Sequence, residues 1–113
     1  MLIKQVIATA NTPNENNRIY PKEVLLKMIR DFKPCVGQIG MSRTKMTPSH
    51  IVENLEMDGN NLVATIRILN NEAGIALEKM LKTTVFRTSG HGSTVDNVIQ
   101  KDYTLNTINA IKS

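Results

Sequence analysis

The dipeptide Asp58-Gly59 does most to limit what this chain can become. With Asn60 and Asn61 it forms a turn between two β-type runs, Ile51–Met57 and Leu62–Leu69. Asp-Gly in that setting is a strong signal for a hairpin. In the second run Leu62, Ala64, Ile66 and Ile68 fall on one face, while Thr65 and Arg67 fall on the other. That is the two-residue period of a half-buried strand.

Other segments arrange themselves around this hairpin. Leu2 to Ala10 is rich in Ile, Val and Thr and reads as a strand. Asn11 to Asn17 is a polar loop. Pro21 then opens a helix at the position where a missing N–H costs nothing. Leu25, Met28, Ile29 and Phe32 give it one apolar face, and Pro34 ends it. Residues 35–48 lack periodicity and read as a long loop, a type often used for binding or as a lid. Met41 and Met46 would give that loop an adaptable contact surface. Asn70 and Asn71 cap a helix from about Glu72 to Leu81, with Ala73, Leu77, Met80 and Leu81 as its buried stripe. Thr83 to Thr88 is β-like, and Gly90 and Gly92 interrupt it as a bulge or close backbone approach would. Val95–Ile99 and Tyr103–Ile111 are further strands. The order β-α-β-β-α-β-β-β predicts an α+β fold. Its small mixed or antiparallel sheet is curled towards a barrel and carries two helices, in a single domain over residues 1–113.

Composition removes several function classes. The net charge is +4, with 14 Lys and Arg against 10 Asp and Glu, and the basic residues are dispersed apart from a loose group at Lys33, Arg43 and Lys45. No aromatic residues interleave with them, so a nucleic-acid surface is not favoured over a solvated one. Cys35 is the sole cysteine, which rules out a disulfide within the chain. Two histidines and one cysteine without ligand spacing give no metal site. No apolar run approaches the ~20 residues that span a bilayer, and Met1-Leu2-Ile3-Lys4-Gln5 lacks the apolar core of a signal peptide. The expectation is a soluble, intracellular protein that does not touch membranes.

Chemistry concentrates in two segments, Thr47-Pro48-Ser49-His50 and Arg87-Thr88-Ser89-Gly90-His91-Gly92-Ser93, which hold both histidines. A hydroxyl nucleophile needs a base for its proton and a backbone N–H for the oxyanion. Histidine, hydroxyls and glycines together supply those parts. Each also has a plainer reading. His91 between two glycines reads as an exposed turn histidine, and Arg87 either holds an oxyanion through water or pairs with an acidic neighbour.

The segment Asn14-Glu15-Asn16-Asn17-Arg18-Ile19-Tyr20-Pro21-Lys22-Glu23-Val24-Leu25 resembles the opening of tailed-phage prohead proteases, the capsid-maturation serine proteases related to herpesvirus assemblins. Ser49-His50-Ile51-Val52, Asp58-Gly59 and Ile66-Arg67-Ile68-Leu69 with Gly74 resemble that family's histidine hairpin and following helix. Gly90-His91-Gly92-Ser93 resembles its serine segment, and Asp102-Tyr103-Thr104-Leu105 through Asn109-Ala110-Ile111 the strand after it. The shared order runs from about residue 2 to residue 111. The resemblance implies a β-barrel flanked by helices and cofactor-free peptide hydrolysis by a Ser–His pair. It also implies scaffold and capsid proteins of the assembling head as partners, in the host cytoplasm or the prohead. His50 matches the family's general base.

The nucleophile departs from the family pattern of a serine pair, then arginine, then glycine. With Gly90 and Gly92 on the family glycines, Arg87 and Thr88 take the serine positions and Ser89 the arginine position. Asn109 stands where an acid would orient the histidine, and it cannot carry negative charge. The candidate catalytic residues are therefore His50, Ser89, Thr88 and Asn109, with Arg87, Gly90, His91 and Gly92 as binding residues. Three readings remain open: a catalytically silent head-assembly protein acting on head proteins or on itself, an active serine endopeptidase, and a small basic nucleic-acid-binding protein. The first is preferred over the second, and the third ranks last.

Overall fold

A computed structural model describes residues 1–14, 16–40 and 47–112. Along the chain, the elements among these residues are β1 (Leu2–Thr9), α1 (Lys22–Asp31), β2 (Cys35–Gly37), β3 (His50–Asp58), β4 (Asn61–Ile68), α2 (Glu72–Lys79), β5 (Thr84–His91), β6 (Thr94–Val95), β7 (Val98–Ile99) and β8 (Thr104–Lys112). A short 3-10 turn, Leu81–Thr83, joins α2 to β5.

The Asp58-Gly59 hairpin forms as expected, with Asp58 paired to Asn61. Gly59 takes φ +61° at the first turn position, where a positive φ suits glycine. The alternation in β4 is borne out, since Leu62, Ala64, Ile66 and Ile68 are all buried. Neighbouring β1 and β3 pair antiparallel on either side of β4, and β2 extends the sheet beyond β3, giving the order β1-β4-β3-β2. Strands β5 and β8 form a second antiparallel pair, and β6 and β7 a small hairpin.

A strap immediately after β2 links the two larger sheets. The Ala110 N–H donates to the Gln38 carbonyl at 3.0 Å, and the Gly40 N–H donates to the Ala110 carbonyl at 2.8 Å. This pairing of Ile39 with Ala110 is parallel. On the opposite side β1 and β5 come near one another but share no backbone hydrogen bond among the described residues. The molecule is thus α+β and barrel-like, strapped on one side and open on the other.

Three expectations are corrected. Cys35–Gly37 and its strap are sheet rather than loop, because three strand residues ending in glycine are too few to show a period. Val95–Ile99 is a hairpin rather than one strand. Its two-residue turn, Asp96-Asn97, has φ of +49° and +67°, a left-handed conformation that Asp and Asn tolerate. Pro21 caps α1 from outside, its carbonyl accepting from the Val24 and Leu25 N–H groups. The contact surface expected of Met41 and Met46 lies outside the described residues, as do Arg43 and Lys45 of the loose basic group.

The core lies between the sheets and under the helices. Val24, Leu25 and Met28 of α1 are buried, with Ile29 and Phe32 packed partly against them. From α2 only Leu77 and Gly74 are buried. Gly74 must be glycine, because a Cβ there would land on the Leu69 carbonyl. The Asn71 side chain caps α2 by accepting from the Gly74 N–H at 2.7 Å.

Ile66→Ala is expected to cost about 2–5 kcal/mol, read as a lower urea midpoint with an unchanged slope. Asn71→Ala is expected to cost about 0.5–2 kcal/mol. Leu26→Ala, on the exposed face of α1, is expected to stay within about 0.5 kcal/mol of the parent.

Candidate functional site

His50 opens β3 and is completely buried. It pairs across the sheet with Gly37 on one side and Ile68 on the other. Its Nε2 lies 2.7 Å from the Ile108 carbonyl oxygen of β8. A carbonyl only accepts, so Nε2 carries the proton. Nδ1 is then the acceptor, and the Ser49 hydroxyl donates to it at 2.8 Å. Both ring nitrogens are occupied and the tautomer is set. Burial lowers the His50 pKa, with the Ile108 carbonyl partly opposing, so the ring is neutral at pH 7.

Two neighbours shape this niche. A Cβ at Gly37 would collide with His50 Nε2 and the Ile108 carbonyl oxygen, so the ring needs a glycine beside it. Phe86 of β5 stands edge-on against the imidazole, with centroids 5.4 Å apart and planes at 89°. Phe86 is thus the β5 side chain that meets the histidine. Strand alternation puts Thr88 on the same face as Phe86 and Ser89 on the opposite one.

The other sequence candidates have different partners. Thr88 Oγ1 lies 3.2 Å from the Tyr20 hydroxyl. Tyr103, beside Tyr20, has its phenol pushed well above its usual range, chiefly by burial. The Tyr20 and Tyr103 rings meet edge to face at 5.6 Å. Ser89 is half-buried and makes no side-chain hydrogen bond with His50. Asn109 is 6 % exposed, and its Oδ1 accepts from the Gln38 N–H of the strap at 3.1 Å. Arg87 is its register partner on β5. A bulge does fall between Ser89 and Gly90. Cβ atoms at Gly90 and Gly92 would strike Tyr103, the latter within 2.6 Å of its Cα, so both glycines let the backbone pass close to that residue. His91 is exposed at the end of β5. Ser93 donates its N–H and its hydroxyl to the Asp102 carboxylate, at 3.0 and 2.8 Å, and holds that carboxyl below its usual range.

The structure therefore brings His50 to Ser49, Ile108 and Phe86, and gathers Thr88 with Tyr20 and Tyr103. It joins neither Thr88, Ser89 nor Ser93 to His50 by a hydrogen bond. Sequence reasoning overlooked Ser49 as the imidazole's partner, although it is the adjacent residue. It also overlooked Phe86, which the two-residue period would have placed beside Thr88. Gly37 carried no signal until its distant neighbours were known. Among the described residues no three His, Cys, Asp or Glu side chains converge as a metal site would need.

The fold is similar to that of the bacteriophage T4 capsid assembly protease, gp21, with a TM-score of 0.85 at 20% sequence identity over 99% of this chain and 81% of that one. No protein-family model matches the sequence, and no curated protein matches it either. The likeness establishes a prohead-protease-like fold, in agreement with the resemblance in sequence.

Because the folded pKa of His50 lies below its unfolded value, the unfolded chain takes up the proton first as pH falls. The stability from neutral His50 is complete above the unfolded pKa of about 6.5 and is lost as pH drops from there towards the folded value. Urea midpoints are expected to fall below about pH 6.5, and His50→Gln is expected to flatten that slope. Ser49→Ala would strand the buried Nδ1 and is expected to cost about 1–3 kcal/mol at pH 7.

Proposed function

We propose that this chain is a tailed-phage head-assembly protein that keeps the prohead-protease fold, acts through protein–protein contacts and does not hydrolyse peptides. The observation that carries this reading is the state of His50. A general base must reach the proton it removes with a free lone pair. Here the lone pair of Nδ1 meets only a serine that is itself wholly buried, as the ring is, Nε2 is committed to the Ile108 carbonyl, and a phenylalanine meets the ring from β5, so the pair is shut away from a substrate. The same fold hosting a silent site is ordinary, since function resides in the site and not in the architecture. The partners in this reading are capsid or scaffold proteins or a second copy of the chain, and the setting is the prohead or the host cytoplasm. The T4 protein of similar fold is itself a capsid assembly protease, which supports that setting.

One feature favours the endopeptidase as the second reading. Ser49 and His50 already form a hydroxyl–imidazole hydrogen bond of 2.8 Å, the pairing an activated serine uses. Both residues are fully buried, and for that reason the silent reading is preferred.

The purified protein, incubated with the capsid and scaffold proteins of its own phage, is expected to leave both uncleaved and to co-sediment with proheads. A fluorophosphonate probe is expected to leave it unlabelled. Cleavage that disappears in both Ser49→Ala and His50→Ala would establish the endopeptidase instead.

A further inference from the structure

The buried Ser49–His50 pair meets no partner chain, but it carries a peptide bond of its own, Pro48–Ser49. The Ser49 hydroxyl reaches the Pro48 carbonyl carbon by closing a five-membered ring, so covalent geometry alone keeps nucleophile and carbonyl together. The hydroxyl already donates to His50 Nδ1 at 2.8 Å, as a serine does to the base that will take its proton. The Ile108 carbonyl, 2.7 Å from Nε2, orients the ring and supports it when it gains a second proton.

The bond itself is gripped on both sides. Asn71 Nδ2 donates to the Pro48 carbonyl oxygen at 3.0 Å, where negative charge would develop on attack. The Asn71 side chain cannot turn away, because its Oδ1 accepts from the Gly74 N–H at 2.7 Å. The Ser49 N–H donates to the Gly37 carbonyl at 3.0 Å, which would hold the amine that leaves. Base, oxyanion donor and a site for the leaving amine thus converge on one peptide bond. Pro48 is half-buried, so solvent reaches the acyl group from its side.

We propose that the chain cuts itself at Pro48–Ser49 through an N→O acyl shift, with Ser49 as nucleophile, His50 as its base and Asn71 as the donor to the oxyanion. Ser49 Oγ bonds to the Pro48 carbonyl carbon while its proton passes to His50 Nδ1. The C–N bond then breaks, its electron pair stays on the Ser49 nitrogen, and that nitrogen takes the proton from His50. An ester joins Pro48 to the Ser49 side chain. Water hydrolyses it, adding its oxygen to the Pro48 carbon and returning a proton to Oγ. The inference goes beyond the contact reading and does not rest on it, since a pair shut away from other chains can still act on its own bond. Strand β2 stays paired with β3 across the cut, so the two pieces part only on denaturation.

The full chain, incubated folded at neutral pH with hydroxylamine and read by denaturing mass spectrometry, tests this. The sequence has no Asn-Gly, the bond that hydroxylamine otherwise cuts. Two fragments are expected, 1–48 ending in a hydroxamate and 49–113 beginning with a free serine amine, at a rate independent of protein concentration. Ser49→Ala is expected to stay whole, and Ser49→Cys to be cut by dithiothreitol through the corresponding thioester. Asn71→Asp keeps an acceptor for the Gly74 N–H and removes the donor, and is expected to slow the cut about a hundredfold. A parent chain that stays whole, equal cutting in denaturing urea, cutting that slows on dilution, or a folded Asn71→Asp protein that cuts as the parent does would overturn the proposal. Co-sedimentation with proheads decides the contact reading separately, whichever way the cut turns out.

Discussion

The hydrogen bond from His50 Nε2 to the Ile108 carbonyl is the contact on which the arrangement turns. It joins the first strand of the central hairpin to the last strand of the second sheet, across 58 positions of sequence. Everything around it is shaped to permit it. Gly37 leaves out the side chain that would collide, Ser49 satisfies the second nitrogen, and Phe86 offers a ring edge. A neutral–neutral hydrogen bond adds only about 0.5–1.5 kcal/mol net, but a stranded buried partner costs more, so such a network is kept whole or lost as a unit.

The same bond fixes the orientation of the imidazole. An imidazole that serves a nucleophile needs one nitrogen held as donor and the other open as acceptor. In this chain the holding half is present, supplied by a main-chain carbonyl. The other nitrogen accepts from the adjacent serine, which is buried with it. Asn109, the candidate for the orienting role, is engaged by the strap through Gln38. His50 and Asn109 tie β3, the strap and β8 together.

What the sequence disclosed follows the reach of the interactions concerned. Local periodicity revealed β1, the β3–β4 hairpin, both helices and β8, because alternation and caps are written in neighbouring residues. Strand β2 was hidden because it is three residues long, too short for alternation to show. The turn at Asp96-Asn97 was overlooked because its strands are two residues each, too short for alternation to show. At the candidate site, His50 stood out by residue type alone. None of its partners was read from the sequence, although Ser49 is the adjacent residue. Ile108 acts through its main chain, which no side-chain pattern reports, and Gly37 acts by having no side chain at all.

The strap also governs the order of events as the protein forms. Its parallel pairing with Ala110 joins positions about 70 residues apart, and like the His50–Ile108 bond it ties the sheets together only once β8 has formed. Helices and the β3–β4 hairpin form from nearby residues and gain early, whereas a contact of this separation must first meet the entropy of a long loop. During synthesis the four-stranded sheet can therefore assemble well before residues 104–112 exist, with the polar groups of His50 and the strap still hydrated. The arrival of β8 is what dries them, so the two sheets commit to their native arrangement only once that strand is in place.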